Sequence, residues 1–302
     1  MKSAPAANGS AAWKSRSYDL LCVPVVFVFS PSGGGATQQD RHFDNQTGVT
    51  GMGKLDGRFA AITGASRGMG RRFAEALVSE GATVALFARP SDKLDEAAAI
   101  LGDRALPVAC DVSDPESVRA AFATVERVFG GLDILVNNAG VSLISKIDEV
   151  SDEDVQSEVG INLMGPIYMC RSALPLLRRS GRADIINISS EAVKLPWPSQ
   201  SIYAATKAGL EAFTTGLRAE VRRDLIRVTT LRSGYVSGGE LARHWSEEKT
   251  AEFFRVAAET GHARLAGTTG ISPHSMAEAL VAILTLPRDV DVDLIELRPT
   301  AP

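Results

Sequence analysis

The sequence predicts an α/β fold with a doubly wound parallel sheet, and three features of the chain carry that prediction. Short apolar runs alternate with helical patterns from residue 52 onward. The runs are apolar at successive positions, so helices must cover both faces of each strand, as in a parallel sheet. A glycine-rich turn joins the first run to the first helix, at the edge where such sheets bind ligands. Right-handed crossovers then wind the helices onto both sides in three layers.

The elements follow in order. "RFAAIT" (58–63) is the first strand, and "RRFAEALVSEG" continues the helix after the glycine turn. "TVALFA" (83–88) is the second strand, "DKLDEAAAIL" the second helix and "ALPVAC" (105–110) the third strand. "DPESVRAAFATVERVFG" begins with an acidic cap and Pro115 in the first turn, a helix-start signature. "LDILVNNAG" (132–140) holds a fourth strand and its loop. "ADIINISS" (183–190) and "IRVTTLRSG" (226–234) each follow a long helical stretch, and "DLIELRP" (293–299) is the last strand.

Composition narrows the functional classes. The chain has 302 residues, 45% hydrophobic and 23% charged, as soluble globular chains do. A net charge of −4 without a long basic run argues against a nucleic-acid-binding surface. Cys22, Cys110 and Cys170 make no CxxC pair, so neither a disulfide framework nor a zinc site is expected. His42, His244, His262 and His274 lack metal-ligand spacing, so no metal is expected.

Residues 1–51 differ from the rest. They hold "SAPAANGSAAWKS" and an apolar run, "LLCVPVVFVF" (20–29), too short to span a bilayer and interrupted by Pro24. Basic residues before the run and small ones after it also fit a signal peptide. Among a disordered or mis-started extension, a targeting segment and an ordered arm, the first is the expectation, with a cytoplasmic location and no membrane association. Residues 52–302 show no composition break and are expected to form a single domain.

"TGASRGMG" (63–70) sits between the first strand and the first helix. Gly64 permits the tight turn, Gly68 lets the backbone approach a pyrophosphate, and Gly70 lets the helix pack against the strand. The spacing is G-x-x-x-G-x-G, not the commoner G-x-G-x-x-G. An acidic residue at the end of the second strand would bind a ribose 2′-hydroxyl. Ala88 and Arg89 stand there instead, with Ser66 and Arg67 in the turn nearby. Guanidinium groups and a hydroxyl suit a phosphate dianion, so NADP(H) is expected in preference to NAD(H).

Tyr203 and Lys207, in "SIYAATKAG", are four apart in a helical pattern and share a face. A free tyrosine has a pKa of about 10. A lysine cation nearby, together with an oxidised nicotinamide ring, is expected to lower it, so that Tyr203 exchanges a proton near neutral pH. Ser190 ends the preceding strand, and Asn162 lies in "GINLMG" shortly before Pro166. The proline disturbs helical hydrogen bonding there, which suits a held water.

"TGASRGMG", "NNAG", "NISS" and "YAATK", in this order, resemble the short-chain dehydrogenase/reductase family from about Met52 to Pro302. The resemblance implies a Rossmann-type fold with a seven-stranded parallel sheet, and a tetrad of Asn162, Ser190, Tyr203 and Lys207. It implies that Tyr203 is the acid/base and Ser190 steadies the same substrate oxygen. It also implies that Lys207 holds the nicotinamide ribose and Asn162 anchors a proton-passing water. Cofactor contacts are expected at Gly64, Ser66, Arg67, Gly68, Met69, Gly70, Arg89, Asp111 and Val112. Others are expected at Asn138, Ala139, Gly140, Tyr203, Lys207, Gly234, Val236 and Ser237. Where the family usually has Pro-Gly after the sixth strand this chain has Ser233-Gly234, so a looser loop is expected.

The implied function is an NADP(H)-dependent oxidoreductase interconverting a ketone and a secondary alcohol. The alternatives are a cofactor-sensing protein without turnover, against which the complete tetrad argues, and an epimerase or dehydratase of the same superfamily. Residues 238–267, with Trp245, Phe253 and Phe254, are expected to form a helical flap, with Leu195, Trp197 and Ile202 adding apolar wall. These walls suit an apolar, medium-sized carbonyl substrate. Apolar residues on the helices containing Tyr168 and Tyr203 point to a homo-oligomer, dimer or tetramer.

Overall fold

The computed structural model describes residues 53–238, 243–262 and 270–300. The expectation for residues 1–51 lies outside the described residues.

Seven parallel strands form one sheet in the order β3-β2-β1-β4-β5-β6-β7. They are β1 Phe59–Thr63, β2 Thr83–Ala88, β3 Ala105–Ala109, β4 Ile134–Asn137, β5 Asp184–Ser190, β6 Arg227–Ser233 and β7 Leu294–Leu297. The winding direction reverses between β1 and β4, which pair with Ala61 opposite Leu135. That reversal opens a crevice at the carboxyl edge of the sheet.

The strands read as continuous apolar runs because successive residues serve two cores. Ile62, Leu86 and Val136 pack with Phe73, Leu77 and Leu280 on one face. Ala61, Phe87 and Leu135 pack with Phe122, Met169 and Leu217 on the other. The first face is covered by α1 Gly68–Ser79, α2 Asp92–Leu101 and α8 Pro273–Leu284. The second is covered by α3 Pro115–Phe129, α5 Gly165–Leu177 and α6 Ser201–Val221. Helix α4 spans Asp152–Val159 and α7 spans Glu247–Glu259.

Local chemistry explains the helix starts. Asp114 accepts the Glu116 N–H at 2.9 Å with Pro115 beside it, as the sequence signature predicts. Ser151, Ser246 and Ser272 cap α4, α7 and α8 in the same way. Helix α4 does not stop at Val159. It widens into a π-helical stretch, Gly160–Met164, that runs into α5. Pro166 has no N–H to give the Asn162 carbonyl four residues back, so the regular ladder cannot continue there.

At the amino edge of the sheet, buried Asp184 on β5 binds three arginines. Arg58 lies at 2.7 Å, Arg227 at 2.6 Å and Arg288 at 3.0 Å. They come from the start of β1, from β6 and from the segment after α8, so one carboxylate ties three parts of the chain together.

Candidate active site

The loops after β1 to β6, with parts of α6 and α7, enclose a cavity of about 1050 Å³. One end is built on glycine. Gly64 and Gly68 have φ of +67° and +55°, which side-chain-bearing residues rarely adopt. A Cβ on Gly70 would stand 2.4 Å from the Gly64 carbonyl oxygen, so the close approach of α1 to the turn requires glycine. Helix α1 opens with no side-chain cap and no acidic residue in its first turn, leaving its N-terminus suited to an anion. Thr63 fixes the neighbouring loop. Its Oγ1 accepts the Asn138 and Ala139 N–H groups at 2.9 Å, and Asn138 Nδ2 donates to its carbonyl oxygen. The glycine cradle and the helix start without a side-chain cap fit the pyrophosphate of a dinucleotide.

Arg67 and Arg89 line this end of the cavity with Ser66, Asp111 and Val112. The Asp111 carboxylate accepts the N–H and hydroxyl of Ser113, which holds the loop after β3 in place.

The reactive end lies between β5 and α6. Ser190 lies close enough to Tyr203 to draw its pKa down, and Ser190 Oγ accepts the Ala192 N–H at 3.2 Å. Lys207 donates to the Ile188 carbonyl at 3.0 Å, and its Nζ lies 5.9 Å from the centroid of the Tyr203 ring. A Cβ on Gly140 would come 3.3 Å from Asn162 Oδ1, tighter than most contacts, and 3.6 Å from that Nζ, an ordinary one. Ser190, Tyr203, Lys207 and Gly140 share the cavity wall.

Burial governs the electrostatics of the pair. It pushes the Tyr203 hydroxyl up to about 12, Ser190 opposes this, and the Glu158 and Glu191 charges add to it. Burial pulls Lys207 down to about 8, against the charge of Glu158. The lowered tyrosine was expected with lysine and an oxidised nicotinamide ring together, and these shifts are those of the protein alone. The packing that makes both side chains nearly inaccessible dominates them.

Asn162 is buried behind the wall. Its Oδ1 accepts the Val141 N–H at 2.9 Å, and its Nδ2 donates to the Val141 carbonyl at 2.8 Å. The side chain therefore grips the loop after β4. Glu158 escaped the sequence reading. It sits one helical turn before Asn162, is buried, and accepts the Leu143 N–H at 3.1 Å. Burial pushes it up to about 7. The visible signal was an acid four residues before Asn162, on the same face.

Aromatic rings close the other side. Trp197 stacks on Phe253 at 5.4 Å, and Trp245 packs on Phe253 at 5.2 Å. Trp245 donates to the Ser142 carbonyl at 2.7 Å, which fastens the segment before α7 across the cavity. Parts of the expected flap, residues 239–242 and 263–267, lie outside the described residues. Two expected wall residues are placed elsewhere. Leu195 is exposed, and Ile202, one step from Tyr203 on the helix, turns to a shallow apolar dent with Leu163 and Ala205.

The loop after β6 is tied down, not loose. Gly234 donates to the Leu297 carbonyl at 2.7 Å, Ile271 to the Tyr235 carbonyl and Ser237 to the Ile271 carbonyl, each at 2.9 Å. Ser233 spends its hydroxyl on the Gly234 carbonyl. Gly234 and Val236 line the cavity and Met69 lies on its wall, but Ser237 bonds Ile271 with its side chain and is not on that wall. Tyr235 and Gln200 line it without having been foreseen.

The fold and the cavity define a doubly wound α/β protein with a glycine cradle and a serine–tyrosine–lysine cluster. The family model for short chain dehydrogenases matches residues 58–250. An uncharacterised oxidoreductase of Staphylococcus aureus (strain N315) is 32% identical over 249 residues, 82% of this chain and all of that one. This chain belongs to the short-chain dehydrogenase/reductase family of oxidoreductases. Among solved structures it is similar to the closed form of a serine dehydrogenase complexed with NADP+. There the TM-score is 0.71 and the identity 28%, covering 80% of this chain and 94% of the other. It is also similar to a 3-ketoacyl-(acyl-carrier-protein) reductase from Brucella melitensis complexed with NADH. That TM-score is 0.70 and the identity 28%, covering 80% and 97%.

Proposed function

We propose that the protein interconverts a ketone and a secondary alcohol with NADP(H), and that Tyr203 is the acid/base. The observation that carries this is the gathering of Ser190, Tyr203 and Lys207 on one cavity wall, with Tyr203 and Lys207 on the same helix face. The nicotinamide, when bound, gives or takes the hydride. Tyr203 Oη gives its proton to the carbonyl oxygen during reduction and recovers it during oxidation. Ser190 donates a hydrogen bond to the same oxygen as charge develops there. Lys207 and the loop at Asn138–Gly140 hold the ribose, and Asn162 keeps that loop in register. The Asn162 carbonyl holds a water that passes the proton on. The aromatic wall of Trp197, Trp245 and Phe253 favours an apolar carbonyl compound. Oxidation of NADPH over a panel of ketones tests the reading. Turnover of a simple ketone supports it, whereas tight cofactor binding without turnover of any would support the sensing alternative.

Arg67 and Arg89 support NADP(H), since both face the end of the cavity where the ribose phosphate would lie. NADP and NADH complexes both occur among the similar structures, so the preference must be measured. Arg89→Asp is expected to lower kcat/KM for NADPH by about tenfold or more, through loss of one charge-assisted hydrogen bond and added repulsion. NADH should gain or hold, and an unchanged ratio between the cofactors would remove Arg89 from the assignment.

We also propose a cytoplasmic homo-oligomer. Cys110 and Cys170 are buried free thiols, which suits a reducing compartment. Helix α6 exposes a stripe of small residues, Ala205, Ala208, Ala212 and Gly216, beside the apolar dent at Ile202 and Leu163. Small residues at helical spacing allow a second helix close approach across a twofold axis. Light scattering during size-exclusion chromatography should give a dimer or tetramer mass over a range of concentrations. A mass near 32.0 kDa throughout would refute it.

A further inference from the structure

We propose that Arg243 and His244, on the segment after β6, form a third side of the clamp on the cofactor's 2′-phosphate. This rests on the NADP(H) reading and extends it to residues outside the glycine turn and the end of β2.

The geometry begins with convergence. Arg67, Arg89, Arg243 and His244 line the same cavity, from three chain segments far apart in sequence. Arg71 and Arg72, close to Arg67 on α1, are both ion-paired with Glu75. By contrast, neither Arg89 nor Arg243 has a carboxylate oxygen within 4.0 Å among the described residues. Arg89 and Arg243 add positive charge to this end of the cavity that no described carboxylate within 4.0 Å offsets, and a bound dianion would be drawn to it. A ribose 2′-phosphate is such a dianion, delivered at this end when the pyrophosphate sits on α1.

His244 reports the same crowding. Its ring is held below the usual histidine range, first by partial burial and then by the charges of Arg243, Arg67 and Arg89. Among the described residues, those are the charged groups that act on it. A phosphate placed among them reverses the sign of the local field and favours the imidazolium. Binding of NADP(H) should therefore draw in a proton, and affinity should rise as pH falls through the histidine range. Trp245, the next residue, is pinned to the Ser142 carbonyl. The same short segment therefore reaches from the phosphate end to the loop over the substrate.

The test is equilibrium binding by the full chain, read by nicotinamide fluorescence, with NADPH and NADH as probes. Arg243→Gln and His244→Asn alter exposed side chains and should leave the melting temperature unchanged. Each is expected to weaken NADPH binding by about threefold to tenfold, with NADH changed less than about twofold. Calorimetry in two buffers of different ionisation enthalpy should show proton uptake with NADPH, absent with NADH and absent in His244→Asn. Unchanged NADPH affinity in both variants, with Arg89→Gln clearly weakened, would overturn the inference and leave the NADP(H) reading standing. If Arg89→Gln is also unaffected, both fall. Equal weakening of NADH would assign the segment a role that does not involve the 2′-phosphate, and would overturn the inference as well.

Discussion

Tyr203→Phe is expected to lower kcat by about a thousandfold or more, within the range general acid–base catalysis spans. NADPH binding should be nearly intact. The ring packs against Ala192 and Ala204, and phenylalanine keeps that packing. The substitution removes only the hydroxyl oxygen, the atom that would give the proton. Ser190→Ala should lose less, because it takes away a hydrogen bond to the substrate oxygen and leaves the proton donor. A buried phenol pushed up to about 12 stays protonated through neutral pH, which suits donation during reduction. Oxidation of the alcohol needs the opposite state, so its rate should climb with pH well above neutrality. Steady-state rates for both variants, in both directions, check the assignment. Retention of near-normal turnover by Tyr203→Phe would end it.

The second large effect concerns stability. Asp184→Ala is expected to cost about 3–5 kcal/mol, because it leaves a cluster of arginines without their buried counter-charge. Arg58 and Arg227 are themselves nearly inaccessible, at 7% and 9% side-chain exposure, so water cannot replace the lost partner. Asp184→Asn should recover part of the loss by keeping hydrogen-bond acceptance at one oxygen. Thermal and urea unfolding would measure both variants. A change below about 1 kcal/mol in Asp184→Ala would mean the cluster is solvated in solution. The site lies at the opposite edge of the sheet, so the folded fraction should still bind NADPH.

The strands and their burial were legible because local chemistry and the tertiary environment agree. An uninterrupted apolar run such as residues 83–88 has only one comfortable home, a strand covered on both faces. Asp114 and Pro115 announce a helix start that needs no distant partner. The glycine turn was legible for the same reason. A φ of +55° at Gly68 and a 2.4 Å approach at Gly70 are constraints on single residues, so they leave their mark in the residue type.

What depends on distant partners was not legible. Asp184 reads as an ordinary strand residue until three arginines from separate segments meet it. Glu158 reads as one more acid in "SDEDVQSEVG" until the fold buries it against the loop after β4. Tyr203 and Lys207 could be paired from their spacing, but spacing carries no burial. The packing of α6 on β5 raises the tyrosine pKa in the protein alone, an effect that spacing cannot show. Ser237 was assigned by its place in a loop, and the loop's pairing with Ile271 turned it away from the cavity. The chain thus encodes its secondary structure and its reactive cluster in short stretches, since helical spacing and backbone conformation are local. Charge states and side-chain directions were decided only by tertiary packing, because they depend on desolvation and on partners brought together from across the sequence.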